Sequence, residues 1–304
     1  MEIRLLKREE IDDKVWNGCV HFAVNALPYA YTWYLDNVCE EWEGLVMGNY
    51  KAVMPLVFGK KFGQNYLYQP FFTQQLGVFT SLPITKNLVN KFIENIPEKY
   101  KYIDINLNEI NDISESKFVS KRTNHILDLN LDYALIKANY SKNTLRNLKK
   151  AEANQLLIES NISPENFVEF YIKNTATKVE KFEEKHRHIL HRIIYKALSY
   201  QLGSVIGITN KNQELIAANF ILFHPTRIIN LLPTSSQEGK DLNAMPFLID
   251  HLLQRNAGQK KIFDFEGSMI SGVAQFYKGF GAEEINYFRL KRNNLPLFYR
   301  IFKK

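Results

Sequence analysis

Residues 262–282 read Ile262-Phe-Asp-Phe-Glu-Gly-Ser-Met-Ile-Ser-Gly-Val-Ala-Gln-Phe-Tyr-Lys-Gly-Phe-Gly-Ala282. The aromatic run predicts a buried strand over Lys261–Phe265, and the Gly-Ser pair after it predicts a turn leading into a short helix over Gly272–Tyr277. Such a strand delivers Asp264 and Glu266 to its carboxyl end, the edge of a sheet that ligands favour. A carboxylate there can take a proton from an incoming ammonium, since a general base needs reach first and a raised pKa second. Glu266 is the stronger candidate and Asp264 the weaker. The plainer alternative is that either carboxylate caps the following helix or pairs with a lysine. Lys278, set between Tyr277 and Gly279, can clasp a phosphate or stand as a solvated charge.

Working outward, the second half opens with a helix from Tyr140 that Ser141 can cap. Its Lys142, Arg146, Lys149 and Lys150 stand uncompensated until Glu152. Ser163-Pro164-Glu165 starts another helix, and a longer one runs from about Phe182 to Gln201 and stops at Gly203. Three β-rich stretches, Val205–Thr209, Leu215–Leu222 and Ile228–Leu232, predict an antiparallel meander, and a helix from about Leu242 to Ala257 follows. A last strand is expected over Ile285–Leu290. The first half alternates strands (Ile3–Leu6, Leu45–Met47, Ala52–Phe58, Asn65–Tyr68, Tyr102–Leu107, Thr123–Leu129) with helices near 11–24, 31–40 and 85–95, the last capped by Thr85. The fold class is therefore mixed α/β with α+β-type sheets. A seam is expected near residue 130, giving units 1–130 and 131–304.

With 304 residues the chain has room for two cores at about 150 residues per domain. Its 45% hydrophobic content, with 21 Phe and 16 Tyr, excludes a disordered chain. The excess of 39 Lys plus Arg over 32 Asp plus Glu gives a formal charge of +7, which suits a phosphate-bearing partner. Four cations on the helix from Lys142 and six in the tail (Arg289, Lys291, Arg292, Arg300, Lys303, Lys304) carry most of that excess. The charged N-terminus holds no signal-peptide core, and no apolar run approaches the roughly 20 residues that span a bilayer. Two separated cysteines form neither a disulfide framework nor a zinc motif, so a reduced, cytoplasmic setting is expected.

Two further stretches are candidates for binding. Thr234-Ser-Ser-Gln-Glu-Gly-Lys-Asp-Leu-Asn-Ala-Met245 is a polar, glycine-containing run from a strand into a helix. Its exposed N–H groups and Lys240 would suit a pyrophosphate, or it is a plain helix cap. Tyr68-Gln-Pro-Phe-Phe-Thr-Gln-Gln-Leu-Gly-Val-Phe79 is uncharged, rich in amides and aromatics, and kept from regular central-strand pairing by Pro70. It reads as a pocket wall for a peptide or sugar, with Gln69, Phe72, Gln74 and Gln75 as contacts and Trp33 and Tyr34 lining the same cavity, or as interface packing. Glu184, His188 and His191 share a helical face, but that face is basic and acidic throughout and is read as solvated; no metal is expected. There is no nucleophile elbow.

The element order of the second half is that of the GNAT superfamily of acyl-CoA-dependent N-acetyltransferases. The stretches Asp264–Gly281, Tyr68–Phe79 and Asn124–Lys150 resemble its FemAB-like branch over most of the chain. The resemblance implies two tandem GNAT-like folds, with the donor held by the C-terminal one. Within it, Fem peptidyltransferases move amino acids from aminoacyl-tRNA to cell-wall peptide precursors, and other members use acyl-CoA. It sets Phe276-Tyr-Lys-Gly-Phe280 against the family's Phe-Lys-x-Gly-Phe segment, which makes Lys278 a donor contact. It also places the pyrophosphate loop at Gln237, Gly239, Lys240, Asn243 and Ala244, although the usual glycine spacing is absent. The expected reaction is transfer of an acyl group from acetyl-CoA, another acyl-CoA or aminoacyl-tRNA to a small-molecule, sugar or peptide amine. Glu266 or Asp264 would act as base and Tyr277 or Tyr287 as proton donor. The alternative from another class is a non-catalytic module that binds RNA or an anionic surface.

Overall fold

In a computed structural model that describes residues 1–178, 182–267 and 269–296, the chain divides into two compact units, 1–122 with 286–304, and 123–285. The basic-tail residues Arg300, Lys303 and Lys304 lie outside the described residues.

The first unit contains β1 (Ile3–Lys7), α1 (Asp13–His21), α2 (Thr32–Val38), β2 (Trp42–Met47), β3 (Ala52–Lys61), β4 (Gln64–Tyr68), β5 (Phe79–Thr80), α3 (Lys86–Glu94) and β6 (Tyr100–Asn106). Strands β1 to β4 form an antiparallel meander, with the two-residue β5 alongside β3. Thr85 caps α3 by accepting from Leu88 N, and the helix then carries the chain over so that β6 lies parallel to β4. Val89, Phe92 and Ile93 of α3 bury against Leu45, Met54, Leu67, Ile103 and Ile105. All six residues of β2 are buried, Glu43 included. Its carboxylate is held by Lys99 Nζ at 2.7 Å and Tyr100 Oη at 2.6 Å, which offsets the cost of placing charge on a covered strand.

Strand β7 (Val119–Asp128) carries the chain out of the first unit. The second unit continues with α4 (Tyr133–Ala138), α5 (Lys142–Ala153), β8 (Leu157–Glu159), α6 (Pro164–Asn174), α7 (Glu184–Ser199), β9 (Gly203–Thr209), β10 (Leu215–His224), β11 (Arg227–Ser235), α8 (Gln237–Asp241), α9 (Ala244–Asn256), β12 (Ile262–Asp264), α10 (Ser271–Lys278) and the start of β13 (Glu283–Asn293). Ser141 and Ser163 cap α5 and α6, the latter with Pro164 at its first position. Strands β8 to β11 form the antiparallel meander, α9 crosses over, and β12 lies parallel to β11. Leu248, Ile249 and Leu252 of α9 pack with Ile208, Ile216, Ile228 and Phe263 in the core.

Each unit thus has a four-stranded meander, a helical crossover and one parallel pair, closed by one more antiparallel strand. That closing strand does not come from the next stretch of sequence. β7, which follows β6, pairs with β12 of the second unit, whereas β13, which follows β12, pairs through Arg289–Asn293 with β6 of the first. The expected seam at 130 is therefore displaced to 122/123, within β7. The expected C-terminal unit also loses its last strand, because hydrogen bonding between strands rather than chain order closes each sheet.

Two elements differ from expectation in the segment after β11. The stretch from Gln237 is helical rather than looped, and the helix expected from Leu242 is broken at Asn243, which takes a left-handed φ of 58° between α8 and α9. On α7, Glu184 and His188 are exposed, while His186 lies on the opposite, buried face, where its Nδ1 accepts from Glu183 N at 2.8 Å and closes the start of the helix.

Candidate active site

Strand β12 ends at Asp264, and the chain turns through Phe265, Glu266 and Gly267 toward α10. Phe265 is fully buried, its ring tilted against Tyr277 at 4.8 Å and edge-on to Phe263 at 4.9 Å, and it anchors the turn in the core. Glu266 has φ 53°, a left-handed conformation that a non-glycine residue adopts only when its surroundings hold it there. Gly267 lies so near β7 that a Cβ would stand 2.0 Å from the Thr123 carbonyl oxygen.

The two carboxylates separate clearly. Asp264 is buried and spoken for: Oδ2 takes Arg227 Nη1 at 2.5 Å, and Oδ1 accepts from Asn124 Nδ2 at 3.0 Å and Glu266 N at 2.9 Å. With those partners it holds the turn together, and it is poorly placed to receive a substrate proton. The pairing anticipated for one of the two acids falls on Asp264, with an arginine in place of a lysine. Glu266 is partly buried, and desolvation pushes its carboxyl well above the ordinary 4.5. Tyr277, on α10, is buried; burial first, and then the charges of Glu266 and Asp264, raise its phenol above the ordinary 10, so it stays protonated at neutral pH. Tyr287, the other expected donor, belongs to the first unit.

Lys278 closes α10. Its Nζ pairs with Glu284 at 2.5 Å, and this contact holds the Glu284 carboxyl below the ordinary range. Both side chains are about half exposed, so the lysine can exchange Glu284 for another anion at little cost. It lines a cleft of about 440 Å³ with Gln275 and Gly279 of α10, Pro246 of α9, and Asn143, Thr144 and Asn147 of α5. Thr144 Oγ1 donates to Gly279 O at 2.8 Å and ties the two helices at the cleft wall. Lys142, Arg146, Lys149 and Lys150 of α5 are all exposed.

The segment expected to cradle a pyrophosphate is built differently. Ser236 Oγ accepts from Gly239 N at 3.0 Å, and Lys240 N bonds Ser236 O. Gly239 packs on β10, where a Cβ would sit 2.0 Å from Ile216 O, so its small size serves packing. Gln237 bonds Asp241, Ala244 is buried, and none of Gln237, Gly239, Lys240, Asn243 and Ala244 lines the cleft that holds Lys278.

In the first unit the predicted acceptor wall is stitched to itself and to the end of β6. Gln69 donates to Thr73 O and accepts from Asn106 N; Gln75 accepts from Glu109 N and donates to the Gln74 side chain; Asn106 donates to Gln74 O. Tyr34, fully buried, donates to Phe72 O, and Trp33 meets the Tyr34 ring edge-on at 5.3 Å. The amides expected to bind substrate are occupied in bracing the loop. Phe72 itself has a left-handed φ of 62°.

Asn124, Arg227 and Thr144 are the residues that reading along the chain passes over. Asn124 lies 140 positions from Asp264, and no local pattern announces that pairing. Among the described residues no group of three His, Cys, Asp or Glu side chains is placed to hold a metal, and no helix is long and apolar enough to cross a membrane.

No family model matches the chain, and no curated protein matches it. Solved structures do. FemX aligns with a TM-score of 0.70 at 13% identity, covering 100% of both chains. A conserved protein of unknown function from Bacteroides thetaiotaomicron aligns at 0.59 and 10% identity over 93% of this chain and 98% of that one. A C-terminal domain assigned to a lysylphosphatidylglycerol synthetase of Agrobacterium fabrum aligns at 0.51 and 10% identity over 88% of each. At such identities the likeness is one of fold: this chain has a FemX-like mixed α/β fold.

Proposed function

We propose that the protein is a transferase that moves an acyl group from a phosphate-bearing donor to an amine, with aminoacyl-tRNA as the favoured donor and acyl-CoA, acetyl-CoA included, as the competing one. The carrying observation is the partly buried Glu266 on its left-handed turn at the end of β12, where desolvation raises its proton affinity. Once ionised, such a carboxylate is a stronger base than an ordinary one and can take the proton of an ammonium. The freed amine then attacks the acyl carbonyl carbon, the bond to the leaving oxygen or sulfur breaks, the protonated Tyr277 phenol supplies a proton to the leaving atom, and the remaining extra proton of the attacking nitrogen returns to the Tyr277 oxygen, leaving a neutral amide.

Donor preference follows from where N–H groups and cations remain. The segment 237–244 spends its Gly239 N–H on Ser236 and fills its glycine position with packing, which weakens the case for a CoA pyrophosphate. The exposed cations of α5, a helix that also lends Asn143, Thr144 and Asn147 to the 440 Å³ cleft, and the exchangeable Lys278 in that cleft suit a phosphodiester backbone. In the first unit, the aromatic faces of Trp33 and Phe72, rather than the amides, are the groups that can meet a small-molecule, sugar or peptide acceptor.

Single-turnover transfer from charged tRNA and from acetyl-CoA, alongside donor titrations, tests this reading. Glu266→Gln is expected to cut transfer about 10²–10⁴-fold while donor binding holds. Unchanged transfer would overturn it. Salt-sensitive RNA binding that survives Glu266→Gln, with no turnover from either donor, favours the second reading: a non-catalytic module using the basic face of α5 on RNA or an anionic surface.

A further inference from the structure

The turn that presents Glu266 is held by an amide from a strand 140 positions away. Asn124, on β7 and fully buried, reaches this turn with both its amide nitrogen and its amide oxygen. Its Nδ2 donates to Asp264 Oδ1 at 3.0 Å, and its Oδ1 accepts from Gly267 N at 2.5 Å and from His125 N at 2.8 Å. Asp264 Oδ1 in turn accepts from Glu266 N at 2.9 Å. The backbone N–H groups of residues 266 and 267 are thus both fixed through the Asn124–Asp264 pair, and Arg227 on β11 locks the far oxygen of Asp264.

We propose that Asn124 is the positioning residue for Glu266: it holds the 264–267 turn in the conformation that keeps the glutamate left-handed at the end of β12. This deepens the function proposed above and rests on Glu266 being its base. The side-chain type is demanded by the geometry. A leucine of similar size would leave the Gly267 and His125 N–H groups buried without acceptors, and an aspartate would face Asp264 with a like charge. Gly267 adds the steric half of the device, since any side chain there collides with Thr123 O. The titratable and charged groups around the turn are Asp264 on β12, Arg227 on β11, Tyr277 and Lys278 on α10, His125 on β7 and Glu284 at the start of β13. Burial, and then Lys278, lowers the His125 imidazole below 6.5, which keeps it neutral beside the turn at neutral pH.

The test uses the full chain and reads the carboxyl directly. Side-chain ¹³C titration of Glu266, assigned by its loss in Glu266→Gln, is compared between wild type, Asn124→Ala and Asn124→Ser, with amide exchange at Gly267 measured in parallel. In folded Asn124→Ala the Glu266 titration is expected to fall toward the ordinary 4.5, and Gly267 exchange to quicken by about tenfold or more. Asn124→Ser, which keeps an acceptor on the strand, is expected to lie between. With transfer as the second readout, the acid limb of the pH–rate profile moves down with the titration and kcat falls while KM for the donor holds. A Glu266 titration unchanged in either folded variant overturns the proposal. So does wild-type Gly267 exchange at the rate of an open loop, a result that needs no variant to fold. If the titration moves but the rate profile does not, the positioning role stands and Glu266 as the base falls.

Discussion

Two turns, one in each unit, are built by the same device and end differently. The 69–78 loop of the first unit and the 264–267 turn of the second both follow a strand, both carry a non-glycine residue with left-handed φ, and both are pinned by side-chain amides from a distant segment. In the first, Gln69, Gln75, Asn106 and Asn111 satisfy buried backbone groups, and the left-handed residue is Phe72. In the second, Asn124 and Asp264 do that work, and the left-handed residue is Glu266. The lesson is that amides at a turn are first a solution to buried N–H and C=O groups. The two turns differ in the side chain on the left-handed residue, a phenyl ring in one unit and a carboxyl in the other.

The comparison extends to charge. In the first unit Asp104 is pushed up by burial, but the two-pronged contact with Arg289 at 2.5 and 2.6 Å, with Tyr102 and Lys291, more than offsets this and leaves it below its ordinary 3.8. Its contribution to stability is present above 3.8 and is lost as pH falls through its lower folded value. Glu266 has the opposite sign. Its folded pKa lies above the unfolded 4.5, so the native state loses stability as pH rises from about 4.5 through the raised value.

The comparison breaks first at Glu266. Glu266→Gln should lower transfer about 10²–10⁴-fold in single-turnover assays, yet raise the urea midpoint at pH 7 relative to wild type, with the gain vanishing near pH 4. A variant that loses stability at pH 7 would erase the distinction between the two turns. Next is Arg227→Ala, which strands the buried Asp264 charge and should cost about 3–5 kcal/mol by urea denaturation. Asn111→Ala removes the acceptor of Val78 N and a donor to Val78 O, and should cost about 1–3 kcal/mol without moving the titration of Glu266. Asp104→Asn sharpens the charge contrast: a loss of about 1–2 kcal/mol at pH 7 that shrinks toward pH 3. Smallest is Lys278→Ala, whose half-exposed ion pair should change stability by less than about 1 kcal/mol while donor affinity falls clearly.

Much of the scaffold is legible in the chain. Ser141, Ser163 and Thr85 mark helix starts at the positions where each caps a helix, because a capping oxygen acts within three residues. Leu215–Leu222 reads as a strand because its buried, β-favouring run needs no partner to be recognised. The segment after β11 was less legible. Its polar, glycine-bearing composition suits a phosphate loop and a capped helical turn alike, and the choice fell to the space between Gly239 and Ile216 O.

What the sequence determined by itself was the order and type of most elements and the delivery of Asp264 and Glu266 to the end of one strand, since both depend on short-range periodicity and capping. Only the tertiary structure decided that Asp264 is the carboxylate paired with Arg227, that Asn124 reaches across to the turn, and that β12 is closed by β7 and β6 by β13. Those outcomes rest on hydrogen bonds and burial between residues far apart in the chain, where nothing local in the sequence discriminates one pairing from another.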